Sequence, residues 1–198
     1  TLDGPIGDKT TFIMSARQSY WQFLFDIIGL PFLPIFNDFQ MKTRVKLNPG
    51  NELIITGIGA LDRFKLNTEL ENPDEQQKYI LSYIPVNEQW NYTIGAVYKH
   101  YNKNSYQTIV ASRNMLNNTS YKYQDNDESS EDNLLLDYSS QEIENKLRFE
   151  SVNRFKGFKL MYGVGGEYVK YNNNTYQKLF LNNEIYELNY DSDIEFFK

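Results

Sequence analysis

The sequence predicts an all-β fold: an antiparallel, up-and-down set of strands of the transmembrane β-barrel kind. Three observations carry that prediction. Apolar and polar residues alternate with a period of two along most of the chain. The alternating segments run to about ten residues or more, where strands of soluble proteins are nearer ~5 or 6. The connections between them are short and long by turns, the asymmetry that separates the two ends of an outer-membrane barrel.

Taken in order, Phe12, Met14 and Ala16 alternate with Ile13, Ser15 and Arg17. An apolar excursion at 22–36 follows, broken by Asp26, Pro31 and Pro34. Phe39, Met41, Thr43, Val45 and Leu47 then share one face, with Gln40, Lys42, Arg44 and Lys46 on the other. Across a tight turn at 48–51, Leu53, Ile55, Gly57, Gly59 and Leu61 oppose Glu52, Thr56 and Asp62. Beyond a polar excursion at 66–89, Tyr92, Ile94, Ala96 and Tyr98 oppose Thr93, Gly95, Val97 and Lys99.

A second tight turn falls at 101–104. After it, Tyr106, Thr108 and Val110 read as the apolar face against Gln107, Ala111 and Arg113. A polar excursion is expected at 117–145. Leu147, Phe149 and Phe155 then oppose Arg148, Glu150 and Arg154, Lys156-Gly157 makes a third turn, and Phe158, Leu160, Tyr162, Val164, Gly166 and Tyr168 oppose Lys159, Gly163, Gly165 and Glu167. A further excursion is expected from about 171. This gives about seven full strands, with an eighth beginning near 192–198.

Composition narrows the function classes. The 198 residues include 16 Tyr, 13 Phe and 2 Trp on a hydrophilic background, which argues against disorder. No apolar run reaches the ~18 residues of a transmembrane helix, but strands that alternate escape that test. A net charge of -6 argues against nucleic-acid partners. Cysteine is absent and His100 is the only histidine, which removes disulfides, thiol chemistry, Cys/His zinc sites and Ser-His triads. No metal or cofactor is expected.

The residues alone leave open which face meets which solvent. In a soluble sandwich or lipocalin-like barrel the apolar face would point inward. Aromatic residues near strand ends favour lipid outside, since a ring with one polar atom suits the headgroup level. On that reading Phe12, Met14, Tyr20, Trp21, Phe39, Met41, Val45, Trp90, Tyr92, Tyr98, Phe158, Leu160, Tyr162, Val164 and Tyr168 are lipid-facing and girdle residues. Arg17, Lys42, Arg44, Lys46, Arg113, Arg148, Glu150, Arg154 and Glu167 form a charged inner wall.

The opening segment, Leu2-Asp3-Gly4-Pro5-Ile6 followed by Thr10-Thr11-Phe12-Ile13-Met14-Ser15-Ala16-Arg17-Gln18-Ser19-Tyr20, resembles the start of the barrel in TonB-dependent outer-membrane receptors of the Bacteroidetes type. Asn37-Asp38-Phe39-Gln40-Met41-Lys42, and the strand from Asn51-Glu52-Leu53 to Asp62-Arg63-Phe64, agree with that resemblance. It implies a barrel of about 22 strands filled by a plug, of which residues 1–198 resemble an N-terminal part, about a third. It implies location in a bacterial outer membrane and energised uptake of a scarce solute, an iron chelate, vitamin, peptide or glycan, with no covalent chemistry, so that the chain is expected to be a non-enzyme without catalytic residues. The implied partners are the bilayer, the rest of the barrel and plug, an inner-membrane energy-coupling protein reached through the plug region, and a surface lipoprotein. An independent eight-strand barrel fits less well. A receptor-like barrel acting only as an interaction subunit is the second functional expectation.

Tyr79, Tyr83, Tyr121, Tyr123 and Tyr138 fall in the expected outer excursions and could stack on a solute. The acidic run Asp125–Asp132 lacks the glycine and terminal glutamate of a calcium loop and is read as solvated.

Overall fold

The computed structural model describes residues 1–182 and 184–198. They form one nine-stranded antiparallel sheet in which each strand pairs only with its sequence neighbours: β1 (Leu2–Ile6), β2 (Thr10–Gln18), β3 (Phe32–Asn48), β4 (Asn51–Leu66), β5 (Val86–Tyr101), β6 (Ser105–Tyr123), β7 (Leu134–Phe155), β8 (Phe158–Leu181) and β9 (Glu184–Phe197). β1 and β9 are open edges; the sheet does not close on itself.

The strand count departs from the expectation at both ends and in the excursions. Leu2–Ile6 is a strand in its own right, and β9 is a long strand starting at Glu184 rather than at 192. The expected excursion at 117–145 is mostly strand, with β6 running on to Tyr123 and β7 beginning at Leu134. Likewise β8 continues through 171 to Leu181. In these stretches both faces are largely polar, so no alternation marks them, yet the ladder runs on through them, broken by one register shift between Lys122 and Tyr123.

Register sorts the side chains into two faces. Phe12 lies opposite Thr43, Met14 opposite Met41 and Ala16 opposite Phe39; Met41 continues to Gly57, and that row runs on through Ile94, Arg113, Asn145 and Tyr168 to Phe197. All of these share the apolar face, as do Val45, Trp90, Tyr92, Tyr98, Phe158, Leu160, Tyr162 and Val164. The expectation that these strand residues lie together holds. Along β8 the apolar stretch from Phe158 to Tyr168 spans eleven residues with an aromatic ring at each end. That is roughly 33 Å along the strand.

Arg113 is a correction. The register Tyr98 to Ile109 and Ile94 to Arg113 puts Ile109, Ala111 and Arg113 on the apolar face, and Tyr106, Thr108 and Val110 on the charged one. Trp21 is another. It opens a seven-residue helix, α1 (Trp21–Ile27), and stacks edge-on against Phe25, which meets Phe32, which lies on Phe64 at 5.1 Å. Phe32 and Phe64 belong to the charged face, so Trp21 joins an aromatic chain over that side and not the girdle. Tyr20, just before the helix, is exposed.

There is no conventional core. Among the described residues Val152 is the only large aliphatic or aromatic side chain that is buried, while Leu160, Tyr162 and Val164 are 47%, 55% and 70% exposed. Accessible surface is 13,933 Å², against about 9,700 Å² expected of a compact monomer of this mass. The buried strand residues Pro34, Glu52, Thr108, Lys122, Ser140, Val152 and Asn173 lie on the charged face, where side chains are more crowded; only Ser151 is buried on the other.

Four short connections sit at one end: residues 7–9, 49–50, 102–104 and 156–157. Gly7 and Gly157 take positive φ there, +65° and +99°. The opposite end carries the connections 19–31, with α1, 67–85, with α2 (Glu75–Tyr83), and 124–133, with two 3₁₀ turns. α2 starts on a capping box: Asp74 accepts from the Gln77 amide at 2.7 Å and Gln77 Oε1 accepts from the Asp74 amide at 2.7 Å.

Two glycines on β8 test this register. A Cβ on Gly163 would stand 2.7 Å from the Phe149 carbonyl oxygen and 3.2 Å from Glu150 Cγ, whereas on Gly166 the nearest atom is 3.9 Å away. Gly163→Ala should therefore destabilise the sheet by about 1 to 3 kcal/mol and Gly166→Ala leave it nearly unchanged, as read by denaturant melts of the folded chain. Equal effects would contradict the β7–β8 register.

Candidate functional site

Two features could carry function: the charged face, and the cluster of connections at the loop end. On the charged face, alternation brings Arg17, Lys42, Arg44, Lys46, Arg148, Glu150, Arg154 and Glu167 to one side across β2, β3, β7 and β8. Arg17 Nε lies 3.0 Å from Asp38 Oδ1 on the neighbouring strand. Arg44 Nη2 meets Glu52 Oε2 at 2.7 Å, and the Glu52 side chain is almost fully covered. Lys146 Nζ bridges Glu144 at 2.7 Å and Glu167 at 3.2 Å, and Asn114 donates to Glu144 at 2.9 Å. Arg148 Nε and Glu150 Oε1 are 3.4 Å apart. Gly163 and Gly165 lie opposite Glu150 and Arg148 and leave room for these long side chains to lie across the sheet.

Arg113 stands apart from that wall. Its Nε donates to the Tyr92 hydroxyl at 3.0 Å and its Nη1 to Asn145 Oδ1 at 3.1 Å, all three on the apolar face.

The five tyrosines expected to meet a solute do not form one site. Tyr79 and Tyr83 stack at 4.5 Å on the exposed side of α2. Tyr121 and Tyr123 lie in β6, not in a loop, with rings 6.0 Å apart. Tyr121 lines a cleft of about 230 Å³ with Lys65, Val86, Glu88 and Glu128, and burial there, with the nearby Glu128 carboxylate, raises its hydroxyl above the ordinary tyrosine value. Tyr138 is a strand residue of β7 on the charged face, its hydroxyl donating to Ser140 Oγ at 2.9 Å.

The connections are tied together by residues the sequence reading did not single out. Asn67 is buried; its Nδ2 donates to Asp26 Oδ1 at 3.1 Å and to the Leu30 carbonyl at 3.2 Å, and its amide donates to the Pro31 carbonyl at 2.9 Å. Gln77 Nε2 donates to the Gly29 carbonyl at 2.8 Å, so α2 is held to the turn after α1. Lys122, 6% exposed, donates from Nζ to the Leu81 and Ile84 carbonyls at 2.6 and 3.2 Å and to Asn126 Oδ1. Burial holds its ammonium below the ordinary lysine value, with Asp125 opposing that shift. Lys178 on β8 reaches the Asp132 carbonyl at 2.7 Å. The one legible signal among these was Asp74-x-x-Gln77, the capping-box spacing ahead of α2.

Among the described residues no helix is long and apolar enough to cross a membrane, and no three acidic or histidine side chains are grouped to hold a metal ion. No family model matches the chain, and no curated protein or solved structure is found to be similar to it.

Lys122 is the sharpest test of the loop cluster. Lys122→Met removes the donor to two carbonyls and one amide oxygen and should loosen α2 by about 1 to 3 kcal/mol. Amide hydrogen exchange should quicken across 75–84 while β4 and β5 stay protected. Unchanged exchange in α2 would show that the ammonium is not what holds it.

Proposed function

We propose that this sheet is an arc of a larger transmembrane β-barrel of the TonB-dependent receptor type, set in a bacterial outer membrane and serving energised uptake of a scarce solute. The observation that carries the reading is the segregation of faces without a core: an apolar band bordered by aromatic rings on one side, and a ladder of ion pairs on the other. At a strand tilt of about 40°, the Phe158–Tyr168 stretch rises roughly 25 Å, the height of the apolar band of such barrels. Pairing of β1 and β9 with further strands satisfies the backbone groups that these edges otherwise leave open to hydrocarbon. The charged face then lines the interior against a plug, and the tied connections form the outer rim where solute arrives. The resemblance of the opening segment supports the receptor class.

Because the chain has no cysteine, single-cysteine variants report on each face without background. In membranes, Leu147→Cys and Val164→Cys should resist a membrane-impermeant maleimide, and Ser112→Cys and Glu150→Cys should react. Reaction at Leu147→Cys and Val164→Cys would overturn the lipid-facing assignment, and the expected pattern in a chain that stays folded and fractionates away from membranes without detergent would identify a soluble barrel with an apolar interior. Transport is tested separately: cells deleted for the protein should lose growth on a limiting iron chelate, vitamin, peptide or glycan in a manner abolished by uncouplers. Normal growth on all of these, with loss of an outer-membrane complex, would instead mark an interaction subunit.

A further inference from the structure

Arg113, Tyr92 and Asn145 form a polar cluster on the apolar face, well away from the Asn51–Tyr98–His100 cluster that lies beside the short turns on the same side. The row Ile55–Ala96–Ala111–Leu147–Gly166 crosses five strands, and small side chains at Ala96, Ala111 and Gly166 leave a trough of about 790 Å³ whose lining is overwhelmingly apolar. The next row toward the loops holds Arg113 and Asn145, which also line it. One row beyond them the same face holds Tyr92, Met115, Ile143, Lys170 and Glu195, and after that it turns polar, through Asn117, Thr119, Gln141, Asn172 and Asn174. Arg113 thus stands at the loop-ward end of the trough, near the border between apolar and polar surface.

Hydrogen-bond polarity gives the cluster a preference. Tyr92 and Asn145 both accept from the guanidinium, so the hydroxyl proton of Tyr92 and the amide protons of Asn145 remain available. The guanidinium has five N–H donors, of which these contacts use two. Donors surround the border of an apolar trough, and no carboxylate lies within 4.0 Å of Arg113 among the described residues.

We propose that Arg113, Tyr92 and Asn145 form a site for the anionic phosphate of a membrane lipid whose acyl chain lies in the trough. The site rests on the reading of this face as lipid-facing. A phosphate oxygen suits the guanidinium and its two neutral donors, and a mainly apolar trough with Ile55 and Leu147 beside the small Ala96, Ala111 and Gly166 suits an acyl chain. The net charge of -6 makes general attraction of anionic lipid by the chain unfavourable, so any preference is local.

Trp90 is a built-in reporter. It lies on the same face as Tyr92, ring centroids 6.3 Å apart, and Trp21 is the only other tryptophan. The Trp21→Phe chain is reconstituted in phosphatidylcholine vesicles that contain a minor fraction of either dibrominated phosphatidylglycerol or dibrominated phosphatidylcholine, and quenching of Trp90 is compared. The anionic lipid should be enriched about fivefold at the reporter, the factor one basic residue at a membrane surface confers. Adding Arg113→Gln should abolish the excess, and Arg113→Lys should retain part of it. Equal quenching by the two lipids in the Trp21→Phe chain would overturn the site while leaving the membrane reading intact. An excess removed by inorganic phosphate would assign the donors to a free anion and overturn the lipid assignment. Quenching by neither lipid would overturn the membrane reading and the site with it.

Discussion

Register is the constraint on which the rest of this molecule depends. Side chains alternate with a period of two, so a slip of one residue between any pair of strands would carry Phe149 and Leu147 to the charged side and Arg148 and Glu150 to the apolar one. Nothing else separates the faces, because the sheet has a single layer and no second layer to pack against. The short turns set that register locally. At 48–51, Asn48 Oδ1 accepts from the Gly50 amide at 3.0 Å and from the Asn51 side chain, closing the β3–β4 hairpin one residue from the first paired charges. At 156–157, Phe155 stacks on Phe158 at 4.8 Å, so the turn is braced by rings that belong to the apolar band.

A single layer changes what holds the fold. In a compact domain, burial of apolar area supplies most of the favourable free energy. Here almost none is buried within the chain, and order comes from the ladder of backbone hydrogen bonds and from cross-strand pairs. Such a sheet is stable only where its apolar face is kept from water, which on the proposed reading is the work of lipid. The loop end needs a separate device, since no bilayer reaches it. Asn67, Gln77 and Lys122 supply that device by giving α1, α2 and the 124–133 connection buried polar partners in place of a core.

How much of this could be read from the residues depended on whether the two faces differ. Between residues 39 and 47, and between 147 and 168, one phase is mainly apolar and the other mainly charged, and both strand positions and faces are legible; in β4 Ile54 and Ile58 share the phase of Glu52, and Glu52 and Asp62 at its ends mark the face. In β6 both phases carry apolar residues, Ile109, Ala111 and Met115 against Val110 and Leu116, so the sequence offers only the cation at 113 to mark the charged side. Only the pairing of Tyr101 with Tyr106 fixes the phase, and it sets the cation outward. β9 was missed for a related reason. Its polarity is inverted: Tyr186, Leu188, Tyr190, Ile194 and Phe196 lie on the charged face, while Glu187, Asp191, Asp193 and Glu195 lie on the other. β9 pairs with β8 from Tyr168 upward, so all but its last residue falls beyond the apolar band, where no apolar surroundings compel an apolar outer face. Lys170 reaches Glu195 at 2.9 Å and Asp193 at 3.3 Å, so the acidic outer stripe is partly compensated. The solute tyrosines do not form a set because Tyr79 and Tyr83 lie on α2, while Tyr121 and Tyr138 fall in an excursion that is largely strand and project from opposite faces of it.

The charged wall itself is not uniform, and its asymmetry bears on what fills the space beside it. Arg17, Arg44, Lys146 and Arg148 are each matched by a carboxylate on the same face, and such pairs cancel one another at a distance. Lys42, Lys46, Lys99, Arg154 and Lys159 have no acidic partner within 4.0 Å among the described residues; Lys42 lies in the row of Lys146 and Glu167, and the other four lie toward the short turns. Arg154 and Lys159 even stand directly opposite each other, an arrangement that repels unless a counter-charge intervenes. The residual field of the wall is therefore positive and concentrated at the turn end. Whatever packs against that end of the charged face meets four cations without an acidic partner, so its complementary surface is acidic. On the receptor reading that surface belongs to the plug, and the contact falls on the side from which energy reaches it.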